Sequence, residues 1–187
     1  FRSLEDIVFE GENGRNQMIS VGDSFPDFFL TGVDKDNSII DVNFDSLSEH
    51  WSVFYFYPKD FTFICPTEIA EMDRLVDEDV NVIGVSGDNE FCKLNWKLSE
   101  PLIGRIRHVL AADCGLSLSD ELGIVDQQEG VCLRATFILD PEDIVQHVSV
   151  NALDTGRNVD EVIRTLKALQ SGGLTGCSWS PGDEFVA

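Results

Sequence analysis

One stretch of the chain limits the fold more than any other. Residues 52–57, Ser-Val-Phe-Tyr-Phe-Tyr, form an apolar, aromatic run of the length and composition of a buried strand. Pro58 stops the run, a short loop follows, and a helical pattern spans about residues 63–76, with Ile69, Met72, Leu75 and Val76 on one face. Cys65 stands where that helix begins. The unpaired N–H groups and the positive end of the helix dipole at this point favour a thiolate, the nucleophilic form of cysteine. Thr62, three residues earlier, can cap the helix or hold Cys65 by a hydrogen bond. Pro66 is tolerated in the first turn, where an N–H has no partner to lose.

The same alternation continues along the chain. Residues 81–86 read as a second strand, 90–98 as a second helix, 108–111 as a weak third strand and 117–122 as a short helix. Residues 133–139 and 144–150 are two strands joined by Asp140-Pro141-Glu142-Asp143, a turn composition that favours a hairpin. Asn158 and Glu161 have capping-box spacing ahead of a last helix that carries Val162, Ile163, Leu166 and Leu169. This is a thioredoxin-like α/β order: a mixed central sheet flanked by helices, in one domain over residues 18–170. Residues 1–17 are expected to be an N-terminal extension that need not be native. From Ser171 to Ala187 the chain is rich in Gly and Ser and is expected to be a flexible tail unless docked, although it carries Cys177 and Trp179.

Hydrophobic residues make up 43% of the 187, enough for a core that needs no disulfide scaffold. A net charge of −21 argues against nucleic acid and anionic membrane as partners, which both call for clustered Lys and Arg. No run reaches the roughly 20 apolar residues that span a bilayer. The five cysteines, at 65, 92, 114, 132 and 177, have no zinc-ligand spacing with one another or with His50, His108 and His147. Reduced thiols in a cytoplasmic protein, one or two of them reactive, fit this count. Cys92 and Cys132 fall in apolar patterns and are expected to be buried and inert.

Arg134 is the second chemically informative residue. It lies in residues 131–139, a strand otherwise almost wholly apolar, where a guanidinium must find a partner or bear a large desolvation cost. Either it reaches the surface at the strand end, or it points at Cys65, where its fork of donors stabilises a thiolate and orients a substrate oxygen. Glu68, one turn beyond Cys65, is a natural anchor for Arg134 and also for Arg157. Pro58 is placed to shield the site from water.

Pro58-x-x-x-Thr62-x-x-Cys65 with the later Arg134 resembles the active site of the peroxiredoxins. The longer string from Asp60 to Glu68 is similar to the typical two-cysteine subgroup, which includes bacterial alkyl hydroperoxide reductases. The resemblance extends to Trp96, to residues 156–161 around Arg157, and to Cys177-x-Trp179-x-x-Gly182-Asp183. It implies a thiol-dependent peroxidase acting on hydrogen peroxide and alkyl hydroperoxides. Cys65 is oxidised to a sulfenic acid, assisted by Thr62 and Arg134, and Cys177 resolves it as an intersubunit disulfide in a head-to-tail homodimer, with a ring of dimers as the larger assembly. No cofactor or metal is implied. Thioredoxin or a dedicated flavoprotein reductase would reopen the disulfide. A redox sensor or relay, or a holdase chaperone of the same family, are the alternatives. The Gly-Gly-Leu-Gly and terminal Tyr-Phe elements of overoxidation-sensitive relatives are missing: residues 99–103 read Ser-Glu-Pro-Leu-Ile.

Overall fold

A computed structural model describes residues 17–47 and 49–187; residues 1–16, most of the expected extension, lie outside the described residues. The strands are β1 (Leu30–Val33), β2 (Ile39–Val42), β3 (Ser52–Phe56), β4 (Asn81–Ser86), β5 (Val109–Ala112), β6 (Val125–Asp126), β7 (Val131–Cys132), β8 (Arg134–Leu139) and β9 (Val145–Asn151). The helices are α1 (Cys65–Met72), α2 (Glu90–Ser99), α3 (Ser117–Glu121) and α4 (Val159–Ser171). Seven strands form one mixed sheet in the order β2-β1-β5-β4-β3-β8-β9, while β6 and β7 make a separate small hairpin. The three parallel strands β3, β4 and β5 lie together, and β8 and β9 add antiparallel to the β3 side.

Strand β3 is buried along its whole length, and its side chains alternate between two cores. Val53, Tyr55 and Tyr57 pack with Ile69, Met72, Trp96 and Leu166 from the helices on one face. Phe54 and Phe56 pack with Phe25, Ile83, Val85 and Phe137 on the other. A strand covered on both faces is why residues 52–57 read as one apolar run. The parallel strands β3 and β4 run side by side to Phe56 and Val85, and the loops that leave them begin near Pro58 and Gly87.

Several elements differ from the sequence reading. The helix expected over residues 63–76 is α-helical only from Cys65 to Met72; residues 73–78 tighten into a 3₁₀ turn that ends at Asp79 in the left-handed region. Asp73 opens that turn because its carboxylate faces away to Arg107 and His108. The strand expected over 133–139 begins at Arg134, and the wider apolar stretch 131–139 is broken at Leu133, which separates β7 from β8. The capping box at α4 is half formed. Asn158 accepts from the Glu161 N–H at 3.2 Å, but the Glu161 carboxylate turns outward to Arg164. The β1–β2 hairpin was not read in the sequence. Its strands are short and mixed, and the cue was the turn Asp34-Lys35-Asp36-Asn37, where Asn37 has φ +62°.

Candidate active site

Cys65 occupies the first residue of α1, with Pro66 next to it and no side-chain cap on the preceding Ile64. It is buried to 0% exposure, so the thiol faces the interior beneath the loop. Arg134, the first residue of β8, is also buried and does not reach the surface. Its Nη1 lies 3.4 Å from Cys65 Sγ and donates to Glu68 Oε2 at 2.5 Å, while its Nε donates to the Leu153 carbonyl at 2.7 Å. Burial works against the Arg134 charge, but the bond to Cys65 and the Glu68 carboxylate outweigh it and hold the guanidinium above its ordinary value.

Glu68 anchors both arginines. Its Oε1 accepts the Arg157 backbone N–H at 3.0 Å and lies 3.1 Å from Arg157 Nη1. That second approach is an ion pair without hydrogen-bond alignment, since Nη1 has no aligned acceptor. The Arg157 side chain reaches the end of β3 and the start of β8, donating to Thr136 Oγ1 at 3.0 Å and to the carbonyls of Phe56 and Ala135. Its guanidinium carbon also stands 5.4 Å from the centre of the Tyr55 ring. Burial lowers the proton affinity of Arg157, and Glu68 counters it. Two guanidinium charges therefore face one carboxylate.

The other expected site residues are placed less directly. The Thr62 hydroxyl neither caps α1 nor bonds to Cys65; it donates to the Lys59 carbonyl at 3.1 Å, which closes the loop on itself. Pro58 is half-buried and lines a cleft of about 350 Å³ with Lys59, Gly87, Asp88 and Leu116, a lining that does not include Cys65. Trp96 is buried on α2, with its ring 5.5 Å from Phe61 and 6.4 Å from Tyr57.

Cys177 is exposed, in a tail that is docked. Arg164 Nη1 on α4 donates to the Trp179 carbonyl at 3.0 Å, Val186 N–H donates to the Leu174 carbonyl at 2.8 Å, and the Trp179 and Phe185 rings stack 6.2 Å apart. This buries Trp179 and leaves Cys177 at the rim of a cleft of about 640 Å³ against Arg164 and Leu169.

Cys132 and Cys92 both lie where the thiol form is favoured over the thiolate. Cys132 is fully buried, its S–H donates to the Tyr57 carbonyl at 3.0 Å, and burial pushes the thiol up to about 12. Cys92 is half-buried rather than buried, because it lies near the start of α2 between two acidic side chains. Burial together with Asp60 and Asp88 pushes it up to about 11. Cys65 and Cys92 both sit in a first helical turn, so the helix end does not distinguish them; arginine beside one and carboxylates beside the other do.

Sequence reading missed a second buried polar cluster. Lys93, from α2, is fully buried against Asp60 and Tyr57, at 3.3 Å and 3.0 Å, and against Ser86. Asp60, Asp88 and Cys92 bring donor atoms within 4.8 Å of one another, but the Lys93 ammonium already supplies the positive charge a metal ion would bring. No helix among the described residues is long and apolar enough to cross a membrane.

Comparison with known proteins identifies the family. Residues 21–148 match the model of the AhpC/TSA family. The chain is 40% identical to an alkyl hydroperoxide reductase C from Mycolicibacterium smegmatis, over 90% of this chain and 94% of the relative, and 33% identical to peroxiredoxin-1 of Gallus gallus, over 89% of each. Among solved structures, the reduced two-cysteine peroxiredoxin of Plasmodium vivax superposes with a TM-score of 0.83 at 35% identity, covering 88% of this chain and 91% of that one. The AhpC of Mycobacterium tuberculosis gives 0.79 at 36% identity, over 87% and 99%. With a thiol, two arginines and one glutamate gathered on a thioredoxin-like sheet, and with relatives matched over nearly the whole described chain, the protein belongs to the AhpC/TSA family as a peroxiredoxin.

Proposed function

We propose that Cys65 is the peroxidatic nucleophile of a thiol-dependent peroxidase, with Cys177 of a second subunit as its resolving partner. The observation that carries the assignment is the single Arg134 nitrogen lying against both Cys65 Sγ and the Glu68 carboxylate. A thiolate held there attacks the hydroxyl-bearing oxygen of a hydroperoxide. The S–O bond forms as the O–O bond breaks, and the departing alkoxide or hydroxide takes up a proton to leave as an alcohol or water. Negative charge moves from sulfur toward the leaving oxygen, and donors fixed in a dry pocket stabilise that movement more than they stabilise the ground state. Arg134 supplies such a donor. Thr62 joins it when its hydroxyl leaves the Lys59 carbonyl, and Pro58 limits water at the loop.

The Cys177 thiol then attacks the Cys65 sulfenic acid, forming the disulfide and releasing water. Cys65 is fully covered, so a thiol carried by another segment reaches it only after the loop before α1 opens. The pairing proposed is within a homodimer, with a ring of dimers as the larger assembly. Thioredoxin or a dedicated flavoprotein reductase returns both thiols by disulfide exchange, in a reducing compartment such as the cytoplasm.

The test is peroxide consumption with a dithiol reductant. Cys65→Ser abolishes turnover, whereas Cys177→Ser, pre-reduced and freed of reductant, consumes peroxide in a single turnover and then stops without a covalent dimer on a non-reducing gel. Peroxide consumption that survives Cys65→Ser at the parent rate rules the assignment out.

A further inference from the structure

Lys93 is a fully buried lysine that the mechanism above does not use. Its ammonium has three N–H donors and meets three oxygens: Ser86 Oγ at 2.5 Å, Tyr57 Oη at 3.0 Å and Asp60 Oδ1 at 3.3 Å. The same nitrogen lies 5.1 Å from the centre of the Tyr57 ring. The cluster joins three elements. Ser86 ends β4, Lys93 is on α2, and Asp60 is in the loop that leads into Cys65. Tyr57 Oη also donates to Asp60 Oδ1 at 2.8 Å, and the Asp60 backbone N–H donates to Asp88 Oδ2 at 2.8 Å. Asp60 is thus held by both its side chain and its backbone.

The next residue shows what this fastening resists. Phe61 has φ +56°, a left-handed conformation that is unfavourable for a bulky side chain and persists only where its surroundings enforce it. Its ring lies against Trp96, on the same helix as Lys93. The loop over Cys65 is therefore a strained segment pinned at Asp60 to α2 and to the end of β4.

We infer that Lys93 is a positioning residue that clasps the 58–64 loop through Asp60 and so sets how long an oxidised Cys65 stays covered before Cys177 can reach it. This rests on the peroxidatic assignment of Cys65. Two fates compete for the Cys65 sulfenic acid. Condensation with the Cys177 thiol gives the disulfide and water, and needs the loop open. Reaction with a second hydroperoxide gives the sulfinic acid and an alcohol or water, and needs the closed pocket with Arg134 in place. A weaker clasp favours the first over the second.

The experiment measures the ratio of disulfide to sulfinic acid by mass spectrometry across a peroxide titration of the full-length protein. Lys93→Met removes the clasp, Asp60→Asn with Lys93→Met removes it without leaving a buried unpaired charge, and Ser86→Ala removes one of the three Lys93 contacts. The ratio is expected to rise about tenfold in Ser86→Ala, the factor expected for loss of one hydrogen bond to a charged group, and further in the other two. A purely structural role lowers the active fraction and leaves the ratio unchanged. A ratio within twofold of the parent in folded Ser86→Ala and the double variant overturns the inference, and Ser86→Ala decides the matter if the Lys93 variants do not fold. Failure of the underlying assignment looks different: the parent itself then shows no oxidation at Cys65.

Discussion

Arg134 Nη1 is shared between Cys65 Sγ, at 3.4 Å, and Glu68 Oε2, at 2.5 Å. One nitrogen thus couples the nucleophile to its structural anchor. Removing a preorganised donor of this kind costs about 10²–10³ in rate in other enzymes, so Arg134→Met should slow the reaction of Cys65 with hydrogen peroxide by about that factor. Arg134→Lys should recover only part of it, because a lysine has no fork to hold the Leu153 carbonyl and the thiol together. Stopped-flow measurement of the second-order rate constant checks both.

Glu68→Gln should be a stability mutation as much as a catalytic one. The carboxylate is buried and faces two arginines, so neutralising it removes the counter-charge that both buried guanidinium groups share. Breaking a buried ion pair from one side costs about 3–5 kcal/mol, which should appear as a large fall in the urea midpoint with the slope unchanged.

Acid sensitivity should be traceable to one histidine. His108 is buried between Tyr55 Oη, at 2.6 Å, and Asp73 Oδ1, at 2.7 Å. Burial lowers its proton affinity below the ordinary histidine value, although Asp73 pulls the other way. The unfolded chain then binds a proton more readily than the folded one, so this stabilising contribution is complete above about pH 6.5 and is lost as pH falls through the folded value. Asp73, held well below the usual carboxylate range by His108 and Arg107 against its own burial, loses its contribution only in stronger acid. The melting temperature should fall between pH 7.5 and pH 5, and less steeply in His108→Asn.

The docked tail depends on Arg164. Its guanidinium is held by the Glu161 carboxylate at 2.6 Å and 2.7 Å and donates to the Trp179 carbonyl at 3.0 Å. Arg164→Ala should release residues 172–187 and speed their cleavage by a protease about tenfold, with the domain itself resistant, as expected for loss of a charge-assisted hydrogen bond. Limited proteolysis followed by intact mass checks this.

The sequence revealed those parts of the site whose cues are local. Cys65 at a helix start and Glu68 one turn on are local cues, whereas the guanidinium stranded in an apolar strand left two outcomes open, the surface or Cys65, and the structure has it at Cys65. What sequence could not reveal depends on contacts between distant segments. Arg157 reaches the Phe56 carbonyl, 101 residues away. Lys93 reads as an ordinary charge on an amphipathic helix, because its partners Asp60 and Ser86 lie in other elements. Thr62 was expected at the thiol but bonds to Lys59, since the left-handed turn at Phe61 folds the loop back on itself. The β1–β2 hairpin was missed because its strands are short and half-polar, with no clean period of two.

The most direct test of the account is to give the Cys177→Ser protein one equivalent of hydrogen peroxide, trap sulfenic acid with a dimedone probe, and map the adduct by peptide mass spectrometry. The account predicts label on Cys65 alone, with Cys92, Cys114 and Cys132 unmodified. Label on one of those three with Cys65 still reduced would contradict it.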